Sequence, residues 1–146
     1  MKAALLLLAW WMAGVSVLGA SPKAYGPYQA QVLRVVDGDT VEVSIEMWPG
    51  LTQVAHVRLL GINAPETHGK GVAPCEHAAG VQAKDYLASL MARAKVTQVT
   101  QVSPDKYGGR FLGRLLADGQ DVSESMLKAR MAVPYHGGKR SPWVCR

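Results

Sequence analysis

The stretch TVEVSIEMWPGLTQVAHVRLL, Thr40 to Leu60, decides the architecture. From Thr40 to Met47 the chain alternates strictly. Val41, Val43, Ile45 and Met47 fall on one side, and Glu42, Ser44 and Glu46 on the other. A period of two with one apolar face is the pattern of a half-buried strand. Trp48-Pro49-Gly50 supplies a turn, and Gln53 to Leu60 runs back as the next strand. Upstream, Gln31 to Val36 is β-rich, so the three segments read as a meander. Downstream, Gly61 to Pro74 is an excursion loop rich in Gly and Pro. From Glu76 to Ala94 the period becomes helical, with Ala83, Leu87, Leu90, Met91 and Ala94 on one face. Lys95 to Val102 and Arg110 to Leu116 return to strand, separated by a loop over Ser103 to Gly109. Asp118-Gly119 turns the chain. Asp121 with Glu124 three residues on starts a short helix that runs to about Arg130. Val133 to Arg146 reads as coil. The order predicts an α+β, mainly β protein: a five-stranded OB-fold barrel with one long and one short helix. Strand order alone does not fix function.

The ends of the chain read differently. Lys2 is the only charge before Lys23, and Ala3 to Met12 is an apolar run that passes into the small residues around Gly19 and Ala20. That is the pattern of a secretory signal peptide over 1–20. The alternative, an uncleaved anchor, is disfavoured because the run is at the lower limit of a bilayer span. Residues 21–28 form a linker, SPKAYGPY, and 29–146 the domain. The expected location is secreted or periplasmic, with no stable membrane association after cleavage. Removing the signal takes away Lys2 and no acid, which leaves 15 basic against 11 acidic residues, a net +4. A modest positive excess suits a polyanionic partner without proving one. An oxidising compartment makes a bridge between the two cysteines, Cys75 and Cys145, the default. A zinc site through His68, Cys75 and His77 matches no standard ligand spacing. The full chain has 49% apolar residues and no low-complexity tract, a composition that argues against disorder over its body.

Three clusters carry side chains suited to chemistry. Val36-Asp37-Gly38-Asp39-Thr40 places two carboxylates beside a glycine, either as a solvated turn or as oxygen ligands for a hard cation. Arg58 to Glu66, RLLGINAPE, puts Arg58 at the barrel mouth or in an ion pair. It adds the side-chain oxygen of Asn63 and the carboxylate of Glu66; read blandly, it is a turn entry. Asp105 to Arg110, DKYGGR, sets a tyrosine between two cations, or is a solvated hairpin. Arg and Lys neutralise phosphate, and an aromatic face stacks a base. Hydrolysis of a phosphodiester uses such parts together. A cation polarises the phosphoryl oxygen, arginines neutralise charge that builds on the equatorial oxygens, and a carboxylate handles the water.

VVDGDT, RLLGINAPE and DKYGGRFLGRLLADG, in that order and spacing, resemble the staphylococcal nuclease family, and the similarity runs from Gln31 to about Tyr135. The resemblance implies an OB barrel and Ca²⁺-dependent endonuclease cleavage of DNA and RNA to 3′-phosphate and 5′-hydroxyl ends; a monomer is expected. It implies that Asp39 is a direct Ca²⁺ ligand with Asp37 behind it, and that Ala64 offers a backbone carbonyl. Glu66 would hold or activate water, and Arg58 and Arg110 would grip the scissile phosphate. Lys106 and Tyr107 would contact the neighbouring nucleotide, with Tyr135 as a second aromatic wall. Three departures stand out. Asn63 occupies the family's second metal-ligating Asp position, which predicts weaker binding of a divalent cation. Gly109 is an additional residue before Arg110. After Tyr135 no counterpart of the family's long C-terminal helix follows, and a Cys75–Cys145 bridge would pin the tail in its place. A non-catalytic OB module that binds nucleic acid is the alternative, favoured by Asn63.

Overall fold

A computed structural model describes residues 23–145. The expected signal segment and the start of the linker lie outside the described residues. The strands are β1 (Tyr28–Asp37), β2 (Thr40–Trp48), β3 (Leu51–Leu59), β4 (Ile62–Asn63), β5 (Thr97–Pro104), β6 (Arg110–Ala117), β7 (Gln120–Asp121) and β8 (Val133–Pro134). The helices are α1 (Pro74–Arg93) and α2 (Val122–Lys128).

The meander forms as its alternation dictates. In β2, Val41, Val43 and Ile45 are buried, while Glu42 and Ser44 are half-exposed. β1 pairs antiparallel with β2, and β2 with β3. β5 pairs antiparallel with β1 and with β6, and β6 returns parallel to β3, with Val57 opposite Phe111. That last ladder closes five strands, β1, β2, β3, β6 and β5, into an OB-fold barrel with no free edge between them. Its interior is filled by Val41, Val43, Val57, Leu59, Val99 and Leu115 among others.

Helix α1 begins at Pro74, two residues before the sequence reading, because proline suits the first helical turn. Its buried face is Gly80, Ala83 and Leu87, with Leu90 and Met91 packed half-buried at the margin of the core. α2 is capped by Asp121, whose carboxylate accepts the Ser123 N–H at 2.8 Å, and ends sooner than expected, at Lys128.

Four expectations need correction. Met47 continues the apolar alternation of β2 but is exposed, because it lies at the strand end beyond the core. The segment read as linker takes part in the barrel, since Tyr25 bridges Val102 and β1 starts at Tyr28. Ser103 and Pro104, read as loop, complete β5. The tail is not all coil: Val133 and Pro134 pair with Asn63 and Ile62. Such two-residue pairings carry no periodic signal. Among the described residues, no helix is long and apolar enough to cross a membrane.

Candidate functional site

Strand register builds the floor of the site. Thr40, the first residue of β2, sits opposite Arg58 of β3, and the Leu59 N–H donates to the Asp39 carbonyl at 2.8 Å. Arg58 and Asp39 are therefore neighbours, and their side chains form a buried ion pair, Nη1 to Oδ2 at 3.0 Å. The same Asp39 oxygen accepts the Ala64 N–H at 3.0 Å, and its other oxygen accepts the Thr40 hydroxyl at 3.0 Å. Arg58 Nη2 donates to Asn63 Oδ1 at 3.1 Å. Two hard oxygen donors, from Asp39 and Asn63, thus converge on one guanidinium.

The parallel ladder places the second arginine. His56 lies beside Arg110 and Arg58 beside Leu112. Side chains two apart on a strand share a face, so Arg58, Arg110 and Leu112 point the same way, opposite to Val57 and Phe111. Arg110 Nε donates to Asp105 Oδ2 at 2.5 Å. Burial raises the pKa of Asp105, but the Arg110 hydrogen bond, the Lys106 N–H and the charges of Arg110 and Arg58 outweigh it. The carboxyl stays below the usual aspartate range. The Tyr107 ring lies under two cations, with Lys106 and Arg110 each 5.1 Å from its centroid. β8 delivers the other aromatic. The Tyr135 N–H donates to the Gly61 carbonyl at 2.9 Å, and Arg58 lies 5.8 Å from the Tyr135 ring centre. A groove of about 560 Å³ is lined by Arg58, Arg110, Lys106, Tyr107, Tyr135 and Arg140.

The two acidic loops are held by α1. A Cβ on Gly38, between Asp37 and Asp39, would lie 2.7 Å from the Ala83 Cβ and 2.8 Å from the Ala64 Cβ. A Cβ on Gly80 would lie 2.7 Å from the Glu66 carbonyl oxygen. The helix therefore presses on the strand turn through Ala83 and on the loop that carries Glu66 through the bare backbone at Gly80. The Glu66 N–H reaches Glu76 Oε1 at 3.4 Å, and its carboxylate pairs with Arg140. Asp37, on the other side of Gly38, accepts the Thr67 hydroxyl at 2.5 Å. The Cys75–Cys145 disulfide is present, with Cα atoms 5.9 Å apart, and ties the tail to the start of α1. It removes Cys75 from any zinc reading, and among the described residues no group of three His, Cys, Asp or Glu is arranged to hold a metal.

Against this geometry, the family model for staphylococcal nuclease homologues matches residues 56–142, more than half of the chain. The chain belongs to the staphylococcal nuclease family. It is 38% identical over 117 residues to a micrococcal nuclease of Shigella flexneri, covering 80% of this chain and 58% of that protein. It is 29% identical over 145 residues to protein ParB of Escherichia coli, covering 92% of this chain and 73% of that one. An uncharacterized endonuclease of Escherichia coli O157:H7 is 34% identical over 113 residues, 77% of this chain and 64% of its own length.

For this family member, the structure gathers most of the residues singled out in the sequence. Asp39, Arg58, Asn63 and Ala64 form one connected cluster, and Arg58 is also part of the groove with Lys106, Tyr107, Arg110 and Tyr135. Glu66 joins them through Arg140. Three residues have partners that the sequence did not point to. Thr67 holds Asp37, Asp105 holds Arg110, and Arg140 reaches Glu66 from the tail. Asp105 was visible five residues before Arg110. Arg140 gave only the signal of a Lys-Arg pair in the segment before Cys145.

Proposed function

We propose that the protein is an exported, Ca²⁺-dependent endonuclease that hydrolyses phosphodiester bonds of DNA and RNA, leaving 3′-phosphate and 5′-hydroxyl ends. The observation that carries this reading is the convergence of three arginines, a lysine and two tyrosines on one groove, with Asp39 and Asn63 bonded to Arg58 behind its wall. The relatives named as nucleases give it further support.

The donor set fits a hard cation in kind: the carboxylate of Asp39 and the side-chain oxygen of Asn63, with the Ala64 backbone alongside and Asp37 behind. With one direct carboxylate it offers one negative charge fewer than an Asp pair. Both side chains now accept from Arg58, so a cation there would share them with the guanidinium. Ca²⁺ would supply Lewis-acid polarisation of the phosphoryl oxygen. Arg58 and Arg110 neutralise charge on the equatorial oxygens, a role supported by the acids of low exposure that orient them, Asp39 and Asp105. Glu66 is the carboxylate for the attacking water. Lys106 and Tyr107 take the adjacent nucleotide by charge and stacking, and Tyr135 forms the second wall.

One observation favours the other reading, a binding module without catalysis: Arg58 occupies the oxygens of both Asp39 and Asn63. Incubating the purified protein with plasmid decides between them. Nicking and linearisation with Ca²⁺, abolished by EDTA, are expected. Retardation of the plasmid without cleavage at any Ca²⁺ concentration gives the binding reading instead.

A further inference from the structure

The tail after β8 has no regular secondary structure, yet it is tied at both ends. Val133 and Pro134 pair with β4 at one end, and Cys145 is bonded to Cys75, the second residue of α1, at the other. Between these anchors the Tyr135 hydroxyl donates to the Gly138 carbonyl at 2.8 Å, across a turn made by Gly137 and Gly138 at φ of +99° and +87°. The chain is thereby bent over the Glu66 loop, and Arg140 faces the groove. A coil of this composition, freed at one end, would not hold one guanidinium in place.

Arg140 differs from the other two arginines of the groove. The Arg58 side chain is 7% exposed and Arg110 24%, and each is paired with a carboxylate that is nearly inaccessible. Arg140 and its partner Glu66 are 37% and 38% exposed. An exposed ion pair is weak, whereas a guanidinium binds a phosphate through two parallel hydrogen bonds. A phosphate entering the groove would therefore draw Arg140 away from Glu66 more readily than it would draw Arg58 from Asp39.

The geometry points to Arg140 as a substrate-phosphate-binding residue, presented by the Cys75–Cys145 tether to a phosphate next to the scissile one. This rests on the nucleic-acid reading of the groove. It adds to that reading a contact carried by the tail, outside the three motifs, and it gives the disulfide a role in substrate binding as well as in stability.

The test uses the disulfide-bonded protein and a fluorescein-labelled single-stranded oligonucleotide. Affinity is measured over a salt series in EDTA, and kcat and KM are measured in Ca²⁺. Arg140→Gln is expected to weaken binding by roughly 3- to 10-fold and to flatten the log K against log salt slope by about 0.7, the change for one lost phosphate contact on a single strand. KM rises accordingly and kcat changes little. Lys139→Gln, next door but outside the groove lining, changes neither. The paired variant Cys75→Ser/Cys145→Ser reproduces the Arg140→Gln effect, and adding Arg140→Gln to it brings no further loss.

An unchanged slope and KM in Arg140→Gln overturns the assignment. So does a rise in kcat, which would make the contact with Glu66 an inhibitory lock. Full affinity in the paired cysteine variant, with a loss in Arg140→Gln, removes the tether from the proposal. If the wild type binds but never cuts, the nuclease reading fails while the salt slope still decides Arg140. If it neither binds nor cuts, both fall.

Discussion

Arg58 and Arg110 have the same proposed task but different structural costs of removal. Arg58→Ala would leave Asp39 buried without its counter-charge. Breaking a buried pair by deleting one partner costs about 3–5 kcal/mol. Arg110 is more exposed, so water can solvate Asp105 when it is gone. Both truncations are expected to cut turnover by about 10²–10³-fold, but only Arg58→Ala should also bring a large drop in the urea midpoint. Single-turnover kinetics beside urea titrations check this. Wild-type rates in both variants would place the chemistry elsewhere. Asn63 makes the second residue-scale expectation. Asn63→Asp adds a carboxylate of nearly the same size beside Asp39. A unit charge about 4 Å from a cation at an effective dielectric near 20 is worth roughly 4 kcal/mol before desolvation is subtracted. Half-maximal activity should therefore come at lower Ca²⁺, with oligonucleotide affinity little changed. A Ca²⁺ titration of cleavage that gives the same midpoint for both proteins would rule out Asn63 as a ligand.

Helix α1 works as a clamp on two loops, and at Gly80 it presses on backbone alone. Helix propensity alone favours Gly80→Ala, by about 1 kcal/mol. The new methyl, however, would sit 2.7 Å from the Glu66 carbonyl oxygen and 2.9 Å from that of Pro65, both backbone atoms that cannot rotate away. Overpacking of this kind costs about 1–3 kcal/mol, so the clash wins. Gly80→Ala should lower Tm despite its better propensity. It should also lower kcat, by pushing Glu66 out of position. A raised Tm with unchanged kcat would show that the helix is free to move and that the loop is not held by it.

For the whole molecule the Cys75–Cys145 bond is the longest covalent constraint, with a sequence separation of 70. In the chain-entropy account, closing a loop of that size stabilises the fold by about 4 kcal/mol. Reduction, or the paired Cys75→Ser/Cys145→Ser change, should then lower the urea midpoint substantially while the barrel still folds. Intact native-source protein should weigh two hydrogens less than its thiol form. Two freely alkylated thiols in that material would remove the constraint from the account.

The alternation over Thr40–Met47, the turn at Pro49-Gly50 and the helical period before Ala94 were enough to place five strands and the long helix, because burial of one face imposes a period on the chain. The site was less evenly readable. The RLLGINAPE and DKYGGR stretches nominate Arg58, Asn63, Glu66 and Arg110 by residue type, and two cysteines nominate their own bond. No period marks the pairing of Val133 with Asn63, nor the bridge from Tyr25 to Val102, since two-residue contacts have no repeat to reveal them. Pairing was equally hidden. That Arg58 bonds Asp39 and Asn63 at once, that Asp37 accepts from Thr67, and that Arg140 meets Glu66 across 74 positions all follow from strand register and from the tether. The sequence by itself determined the strands of the barrel, the helix and the inventory of charged and aromatic groups, because these depend on local period and composition. Only the tertiary structure decided which charge faces which, because a side chain's partner is set by the closure of β3 on β6 and by the path of the tail, and neither is encoded within one stretch of chain.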